Sequence, residues 1–570
     1  MNRLVVFLLA FVISSLAGPL NDKIAADLPA VDPDSTLDVI VQYRGSPSPE
    51  HWHRKVERHG GLLKADLNGA IRGSAYRVPA RALEQLAEDP EVQYISPDRT
   101  LNATLDYSTA AVNAGTAWQY GFTGSGIAVG VLDSGISNNP DLKNSGGALR
   151  LVYSQDFVGG GTDDHYGHGE HVAGIIAGDG ASSIGSIDFR SFRGIAPAAN
   201  IVNLRVLNQN GQGTDSAVIA AINTAINLKN SYNIRVINLS LGRPVYESYT
   251  LDPLCQAVEA AWKAGIVVVV AAGNDGRNNS GGTNGYGTIM APGNDPYVIT
   301  VGAMKTMGTY SRSDDLIASY SSKGPTLIDH IVKPDLVAPG NRVVSLRAST
   351  ATLPSQYPNN TIRLTYYQNT GSGALSNEYF TLSGTSMATP VVSGAAVLLL
   401  QQNASLTPDQ VKARLMKTAY KAFPASSVAV DPVTGASYTS QYDIFTIGAG
   451  YLDVAAAISN TDLAPNTAGS AASPTAYYDS NSGNVYVKNT ATSVAWGSSS
   501  AWSSAAVWGT TVFLGGTAAT WGTAAVWGTA AVWGTNVTSG FAAVWCSSAV
   551  WGTSATDATE ATPITITGEN

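Results

Sequence analysis

Three histidines lie within seven residues of this 570-residue chain, which contains seven histidines in all. They are His165, His168 and His171 in the stretch D-D-H-Y-G-H-G-E-H-V-A-G. Histidine is both the commonest metal ligand and the side chain best suited to accept a proton near neutral pH. The cluster therefore indicates either a metal site or a catalytic base whose partners lie elsewhere in the chain.

The spacing of the histidines differs from that of a zinc protease. Zinc proteases carry H-E-x-x-H, with the two histidines four residues apart, whereas His168 and His171 in H-G-E-H are three apart. Histidines at i, i+3 and i+6, with Asp163 and Asp164 nearby, could still ligate zinc. A zinc hydrolase is therefore the alternative interpretation.

Three further polar residues stand next to apolar runs. Asp133 ends G-I-A-V-G-V-L-D, Asn274 ends V-V-V-V-A-A-G-N, and Ser386 follows the turn L-S-G-T at the start of an apolar helix. A serine hydroxyl becomes a nucleophile when a neutral imidazole takes its proton, and a buried carboxylate fixes that imidazole's tautomer. Asp133, His168 and Ser386 thus suit acyl transfer, with the Asn274 amide and the Ser386 N–H as oxyanion donors.

The elements that must position these groups are strands and helices in alternation between about residues 120 and 460. Strands are predicted in G-I-A-V-G-V-L-D, I-V-N-L-R-V-L, I-R-V-I-N-L-S and G-I-V-V-V-V-A-A-G-N, and helices in D-S-A-V-I-A-A-I-N and P-L-C-Q-A-V-E-A-A-W. This order predicts an α/β fold with a parallel sheet, whose functional groups gather at the carboxyl ends of the strands. Pro390 is expected in the first turn of its helix, where an amide has no helical partner.

The segments at the front of the chain have different compositions. Residues 1–17 contain Arg3, a short apolar run and S-L-A, which predicts a removable secretion signal and an extracellular protein. Residues 35–98 are rich in charge and read as strand, helix, strand, helix, strand. The net charge of −9 and the absence of a basic patch exclude nucleic acid as a partner.

The tail after residue 461 is rich in Ala, Ser, Thr and Gly, and tryptophans recur in it at multiples of about six residues, mostly as A-V-W-G-T. The repeated tryptophans are Trp496, Trp502, Trp508, Trp521, Trp527, Trp533, Trp545 and Trp551. In a strand this period places every Trp on one face, so the tail is expected to be β. The Trp face would pack on the catalytic domain, another copy, or a surface or polymer; a flexible low-complexity tail is the alternative.

Five motifs in order carry a resemblance to a known family. They are V-L-D-S-G-I (131–136), G-H-G-E-H-V-A-G (167–174), V-I-N-L-S-L-G (236–242), A-A-G-N (271–274) and G-T-S-M-A-T-P (384–390). Together they resemble the subtilisin-like secreted serine proteases, the subtilase family. The resemblance implies an endopeptidase with the triad Asp133, His168 and Ser386 and with Asn274 in the oxyanion hole. It also implies that His171 is structural.

The resemblance further implies how protein or peptide substrates bind, namely as an extended strand between two backbone segments. The matching residues are Gly211 and Gly213 in one segment, Ser240, Leu241 and Gly242 in the other, and Ala272 and Gly273 in the wall of the first specificity pocket. Ordinary turn glycines are the alternative reading of these segments. The sequence around the pocket departs from the family, so the specificity is not readable.

Two positions bear on ions and charge. Asp141, in N-P-D-L, matches an aspartate that binds calcium in several relatives, so the resemblance implies a structural calcium, although the chemistry requires no cofactor. Glu170 stands where many relatives have threonine, and its charge is expected to raise the pKa of His168. Whether Cys255 and Cys546 pair is not determined by the sequence.

The resemblance also divides the chain. It implies a signal peptide at 1–17, a propeptide at 18–105, a catalytic domain at 106–460 and a tail at 461–570. The propeptide's globular part, 35–98, is expected to be a small α+β (ferredoxin-like) unit with the order β-α-β-β-α-β that acts as intramolecular inhibitor and folding helper. The enzyme would remove it by cleavage near residues 99–110; an independent binding domain is the alternative.

Overall fold

The computed structural model describes residues 23–97 with gaps at 26–27, 29–31, 46–47 and 68–71, and residues 107–479 except 281 and 432–433. Beyond these it describes four short strands and residues 566, 568 and 569. The chain forms two compact units, Met1–Leu101 and Asn102–Asn570. The expected signal peptide, most of the expected cleavage region, Cys546 and the eight repeated tryptophans lie outside the described residues.

The first unit has the order β-α-β-β-α-β. Its elements are β1 (Thr36–Tyr43), α1 (Pro49–Arg58), β2 (Leu62–Asp66), β3 (Gly73–Pro79), α2 (Ala82–Glu88) and β4 (Val92–Pro97). The four described strands form an antiparallel sheet in the order β2-β3-β1-β4. Reading the residues directly missed β2, because all five of its side chains are exposed and L-L-K-A-D has no buried face.

The second unit is built on a large sheet. Its described strands are β5 (Ala128–Asp133), β6 (Leu151–Asp156), β7 (Asn200–Arg205), β8 (Ile234–Leu239), β9 (Val267–Ala271), β10 (Ile299–Lys305), β11 (Leu316–Ile317) and β12 (Leu336–Pro339). The strand order is β11-β10-β9-β8-β5-β7-β6, with β12 also paired to β10. Every described pairing is parallel except β10 with β11. The predicted parallel α/β sheet is confirmed.

Helices cover this sheet, and they include those predicted from the sequence. The α-helices of the described part are α3 (Ser108–Ala111), α4 (Ala114–Gln119), α5 (Gly169–Ala177), α6 (Asp215–Tyr232), α7 (Pro253–Lys263), α8 (Thr352–Gln356), α9 (Thr385–Gln402), α10 (Pro408–Thr418), α11 (Ile444–Ile447) and α12 (Val454–Ser459). Short 3₁₀ helices cover Pro140–Leu142, Ala181–Ser183, Pro358–Asn360 and Leu364–Tyr366. No helix among the described residues is long and apolar enough to cross a membrane.

Smaller sheets complete the second unit. One consists of β13 (Val343–Leu346), β14 (Thr361–Arg363) and β15 (Leu375–Leu382), and β16 (Ser426–Val430) pairs with β17 (Ser437–Gln441). Later strands are β18 (Thr475–Asp479), β19 (Asn484–Lys488), β20 (Thr511–Leu514), β21 (Thr517–Thr520) and β22 (Ala531–Val532).

The packed core of the second unit runs past the boundary that we expected at residue 460. Ala464, Ala471 and Ala476 are buried in the same apolar cluster as the central strands. The Ala476 N–H also donates to the carbonyl of His330, 146 residues earlier in the chain. The beginning of the Ala- and Ser-rich tail is therefore part of the second unit, because alanines can fill a close-packed interface as well as a low-complexity linker.

Candidate active site

Asp133 and His168 form a buried pair at the end of a central strand. Asp133 is the last residue of β5, and its side chain is 1% exposed. Its Oδ1 lies 2.7 Å from His168 Nδ1 and also accepts the Ser134 N–H at 2.8 Å. A carboxylate next to Nδ1 favours the tautomer in which Nδ1 carries the proton. Nε2, the other ring nitrogen, is then free of its proton and can act as a base.

The environment of His168 changes its affinity for a proton. Burial of the ring lowers the pKa, but the charge and hydrogen bond of Asp133 and the charge of Asp164 outweigh that effect. The net pKa is raised above the ordinary value for histidine. The pair therefore stabilises the imidazolium that forms when the ring accepts a proton.

Asp164 organises the loop that carries His168. Its carboxylate, 2% exposed, accepts the N–H groups of Gly167 at 2.7 Å and Glu170 at 2.8 Å. It also accepts the Ser134 hydroxyl at 2.8 Å, which links this loop to the end of β5. In the sequence, Asp164 was considered only as a zinc ligand, because its hydrogen-bond partners become apparent only in the folded loop.

Glu170 does not have the effect on His168 that we expected. Its carboxylate is 2% exposed and accepts the Ser137 N–H at 2.9 Å and the Asn139 side-chain amide at 3.0 Å. Burial raises the pKa of Glu170 itself, whereas the charges that raise the pKa of His168 are those of Asp133 and Asp164. The expectation was wrong because a helix residue two positions after His168 is directed to a different loop.

Ser386 lies at the start of α9, directly after a tight turn at Gly384. Gly384 has a φ of 136°, which a residue with a side chain rarely adopts. The Ser386 hydroxyl donates to the Ser240 carbonyl at 3.1 Å, and the Ser240 hydroxyl donates to the Ser386 carbonyl at 2.7 Å. These reciprocal bonds hold the turn before Ser386 against the end of β8.

Pro390 lies in the second turn of α9 and not in the first, as we had expected. It has no N–H to donate to the carbonyl of Ser386 four residues earlier. The Ser240 hydroxyl supplies that missing donor. The proline is thus tolerated because a side chain from another strand satisfies the carbonyl that it leaves open.

Asn274 is held beside Ser386 in a fixed orientation. Its Oδ1 accepts the Thr385 N–H at 2.9 Å and the Thr385 hydroxyl at 3.1 Å, so the amide nitrogen faces the other way. A β-carbon built on Gly384 would lie 3.5 Å from Asn274 Nδ2 and 3.6 Å from the Ser386 N. The Asn274 amide nitrogen and the Ser386 N thus lie near each other beside Gly384, and two neighbouring N–H donors are what stabilises an oxyanion.

A cleft of about 980 Å³ connects these groups. His168, Ser386 and Asn274 line it, and so do members of both predicted substrate segments: Gly211, Gly213, Ser240, Leu241 and Gly242. The N–H of Gly211 closes a turn on the Asn208 carbonyl, so a local turn also accounts for that glycine.

Ala272 and Gly273 do not line this cleft in the described structure. Ala272 is fully buried and donates its N–H to Val301 on the neighbouring strand. The Gly273 carbonyl accepts the Ser322 N–H at 3.0 Å, and its own N–H donates to the Thr385 hydroxyl at 3.2 Å. These two residues thus connect β9 to Asn274 and Thr385.

The three clustered histidines do not converge on a metal. His171 Nε2 contacts the carbonyls of Val343 at 3.0 Å and Phe380 at 3.1 Å, and burial lowers its pKa to about 3, so the ring is neutral. His165 is exposed. In the part of the chain that the structure describes, no group of three or more His, Cys, Asp or Glu side chains could hold a metal ion. The geometry therefore does not support the zinc alternative.

Asp141 was expected to bind calcium, which is held by a shell of oxygen ligands. Its carboxylate instead accepts the Ser182 N–H and the Tyr379 hydroxyl, each at 2.7 Å. The Arg150 guanidinium donates to the carbonyls of Asp141 at 2.9 Å and Ala177 at 2.6 Å. The surroundings of Asp141 therefore do not fit a calcium site, because hydrogen-bond donors and a cationic side chain already occupy its oxygens.

Cys255 is fully buried in α7 as a free thiol. Its thiol lies 3.3 Å from the Asn294 side-chain oxygen, and burial raises the pKa of Cys255. A high pKa keeps the thiol protonated and unreactive.

Comparison with known proteins agrees with this geometry. Residues 124–450 match the model of the subtilase family. The serine protease AprX of Bacillus subtilis is 39% identical over 363 residues, which cover 61% of this chain and 74% of AprX. Subtilisin E of Bacillus subtilis is 34% identical, covering 64% of this chain and 79% of its own length, and an alkaline protease of Shouchella clausii is 35% identical, covering 59% and 71%. The chain belongs to the subtilase family and is a subtilisin-type serine protease.

Proposed function

We propose that this protein is a secreted serine endopeptidase that cleaves peptide bonds through an acyl-enzyme, with Asp133, His168 and Ser386 as its triad. The observation that carries the proposal is the 2.7 Å bond between buried Asp133 and His168 Nδ1, at a cleft that Ser386 and Asn274 also line. This arrangement suits a base whose tautomer is fixed and whose protonated form is stabilised.

In the first step, the Ser386 hydroxyl rotates away from the Ser240 carbonyl and attacks the substrate carbonyl while His168 Nε2 takes its proton. The tetrahedral oxyanion accepts hydrogen bonds from Asn274 Nδ2 and the Ser386 N–H. Protonated His168 then gives the proton to the leaving amine, and the peptide bond breaks to leave an acyl-serine. Water attacks this ester with His168 again as base, which releases the acid and restores the hydroxyl.

We assign substrate binding to the two backbone segments on the wall of the cleft, one containing Gly211 and Gly213 and the other running from Ser240 to Gly242. Main-chain pairing is largely independent of the substrate side chains. This mode of binding suits a broad endopeptidase that acts on unfolded or extended protein segments.

The proposal includes synthesis as a zymogen with a signal peptide at 1–17 and a propeptide at 18–105. Support comes from the separate compact unit within the first 101 residues and its β-α-β-β-α-β order. The front unit would inhibit the enzyme until self-cleavage releases it. A β-structured tail that binds a surface, a polymer or another copy stays a prediction.

The test of the nucleophile is the Ser386→Ala variant, which should neither hydrolyse casein nor react with a fluorophosphonate. Its matched control is Ser405→Ala, which removes an exposed hydroxyl outside the cleft and should keep both activities. Equal labelling of wild type and Ser386→Ala would refute the assignment. Loss of hydrolysis with a chelator but not with the fluorophosphonate would instead support the zinc hydrolase.

The zymogen is tested separately by following the size of the chain. Ser386→Ala should keep residues 18–105 attached, because it cannot form the acyl-enzyme, and added wild-type enzyme should remove them. A variant that matures alone would show that cleavage is not autocatalytic.

A further inference from the structure

Residues 566, 568 and 569, here called the return segment, pack on the catalytic unit about 90 residues after Ala476, the preceding described residue of its core. Glu569 is 5% exposed. Its Oε1 accepts the Ser319 N–H at 2.9 Å and an Arg277 N–H at 3.1 Å, and it contacts the Ser319 hydroxyl. Its Oε2 lies 3.1 Å from Lys305 Nζ, whose side chain is 5% exposed. A buried carboxylate is thus surrounded by donors and two cations, which offset the cost of its desolvation.

The main chain of the return segment is recognised as well. The Glu569 N–H donates to Asn341 Oδ1 at 2.8 Å, and Asn341 Nδ2 donates to the Glu569 carbonyl at 3.0 Å. Gly568 has a φ of 79°, and a β-carbon on it would lie 2.6 Å from both Arg342 Cγ and Ser383 Oγ. The site therefore accepts a glycine followed by a glutamate, and larger residues before the glutamate would clash.

The other end of the return segment reaches the cleft. The Ile566 carbonyl accepts a hydrogen bond from Asn360 Nδ2 at 2.6 Å, and the same amide donates to Thr381 on β15 at 2.9 Å. Ile566 is 6% exposed and lines the cleft together with Leu382 and Ser383. Ser383 comes three residues before Ser386, so Ile566 lies beside the segment that leads into the turn before Ser386.

We propose that the pocket formed by Arg277, Lys305, Ser319 and Asn341 binds a Gly-Glu sequence, and that the chain's own Gly568 and Glu569 fill it. This docking makes Ile566 part of the substrate-binding wall. The role of Ile566 rests on the proposed function: with the acyl half of a substrate paired to the two glycine-containing segments, Ile566 contacts the leaving half.

The docking is tested by hydrogen exchange of the full chain in the Ser386→Ala background, which cannot digest itself. The amide of Glu569 should exchange at least about tenfold more slowly than in the additional variant Glu569→Gln. Glu560→Gln, which removes the same charge nine residues earlier, is the matched control and should behave as the parent. Equal exchange in all three proteins would overturn the docking.

A milder variant guards against misfolding. Ser319→Ala removes one hydroxyl donor but keeps both cations, and it should give an intermediate exchange rate at Glu569. Peptides from β9 should keep their protection in this variant, which shows that the fold is intact. Unchanged exchange at Glu569 in Ser319→Ala and in Arg277→Gln would contradict the proposed pocket.

The role of Ile566 is tested by kinetics of the active enzyme with two substrates. Ile566→Ala should lower kcat/KM about tenfold for a quenched peptide that extends beyond the scissile bond. It should leave hydrolysis of a peptide anilide, which has no residue beyond that bond, nearly unchanged, and Ile564→Ala is the control. Equal kcat/KM values of Ile566→Ala and Ile564→Ala for the quenched peptide would overturn the contact with substrate. If the wild type hydrolysed neither substrate, the proposed function would be refuted, but the docking of Glu569 would not.

Discussion

His168 and Ser386 line the same cleft, but they are held by different kinds of interaction. His168 contacts a buried carboxylate, and its loop is fixed by Asp164, which accepts several N–H and O–H donors. Ser386 is held by neutral hydrogen bonds to Ser240, one of which uses its own hydroxyl at 3.1 Å. Charge-assisted bonds are about twice as strong as neutral ones.

The difference suits the roles that we propose for the two groups, His168 as base and Ser386 as nucleophile. The base must keep one orientation and one tautomer through the whole reaction, so strong fixed bonds favour it. The nucleophile must leave its resting partner in order to attack, so a weak bond of its hydroxyl to a carbonyl is an advantage. The main chain around Ser386 is nevertheless held in place, because the Ser240 hydroxyl donates to the Ser386 carbonyl and Asn274 Oδ1 accepts the Thr385 N–H.

The largest effect on activity should come from a substitution of Asp133, the hydrogen-bond partner of His168. Asp133→Asn keeps the shape but favours the wrong tautomer of His168, and kcat should fall about 10⁴-fold. Asp163→Asn removes an exposed neighbouring carboxylate and should leave kcat unchanged. The rates are measured with a peptide anilide on enzyme matured by added wild type; a loss below tenfold would mean that the Asp133 bond does not set the tautomer.

A smaller effect on activity is expected from Asn274→Ala, a substitution beside Ser386. Removal of one oxyanion donor should lower kcat about 100- to 1,000-fold, the range known for the corresponding change in a subtilisin. KM should stay nearly constant, because the amide acts on charge that develops after binding. An increase of KM with constant kcat would show that Asn274 binds substrate instead.

The contact between Ser240 and Ser386 should affect stability more than rate. Ser240→Ala leaves the buried Ser386 carbonyl without a donor and should lower the free energy of unfolding by about 1–3 kcal/mol. Adding Pro390→Ala restores a helical N–H to that carbonyl and should recover part of the loss. The part of the loss that is not recovered is due to Asn238, whose side-chain amide also donates to the Ser240 hydroxyl at 2.9 Å.

Thermal unfolding of the Ser386→Ala protein with and without these changes measures the cycle. Pro390→Ala in the presence of Ser240 is the control and should not give the same gain. Additive effects of the two substitutions would contradict a shared carbonyl as their common partner.

The smallest expected effect is a shift in the pH profile of kcat/KM, which distinguishes the influence of Asp164 on His168 from that of Glu170. The charge of Asp164 raises the pKa of His168, and the base works only when neutral, so activity rises as pH increases through that pKa. Asp164→Asn should therefore move the acid limb of kcat/KM to lower pH. Glu170→Gln should leave the limb in place; a shift with Glu170→Gln alone would restore the interpretation drawn from the sequence.

Much of the site was predictable from local sequence. Asp133, His168, Asn274 and Ser386 each stand at the end of an apolar run or at a glycine turn, and their residue types fit one mechanism. The strands β5, β7, β8 and β9 were predicted because continuous runs of Val, Ile and Leu suit a sheet that is covered on both faces.

Other features could not be read from the sequence because they depend on contacts between distant parts of the chain. Ser240 lies 146 residues before Ser386, whose carbonyl accepts its hydroxyl, and Asn274 lies 111 residues before Thr385. The same limit explains the incorrect expectations for the charge of Glu170 and for the first turn at Pro390, since a side chain's partner decides its role.

The sequence by itself determined the central strands, the helices between them and the residue types available for catalysis, because hydrophobic runs and glycine turns act over a few residues. Only the tertiary structure decided which carboxylate raises the pKa of His168, where the Ser386 hydroxyl rests, and that Glu569 is buried 250 residues from Ser319. Burial and hydrogen-bond partners are set by the folded chain, and they control both charge and orientation.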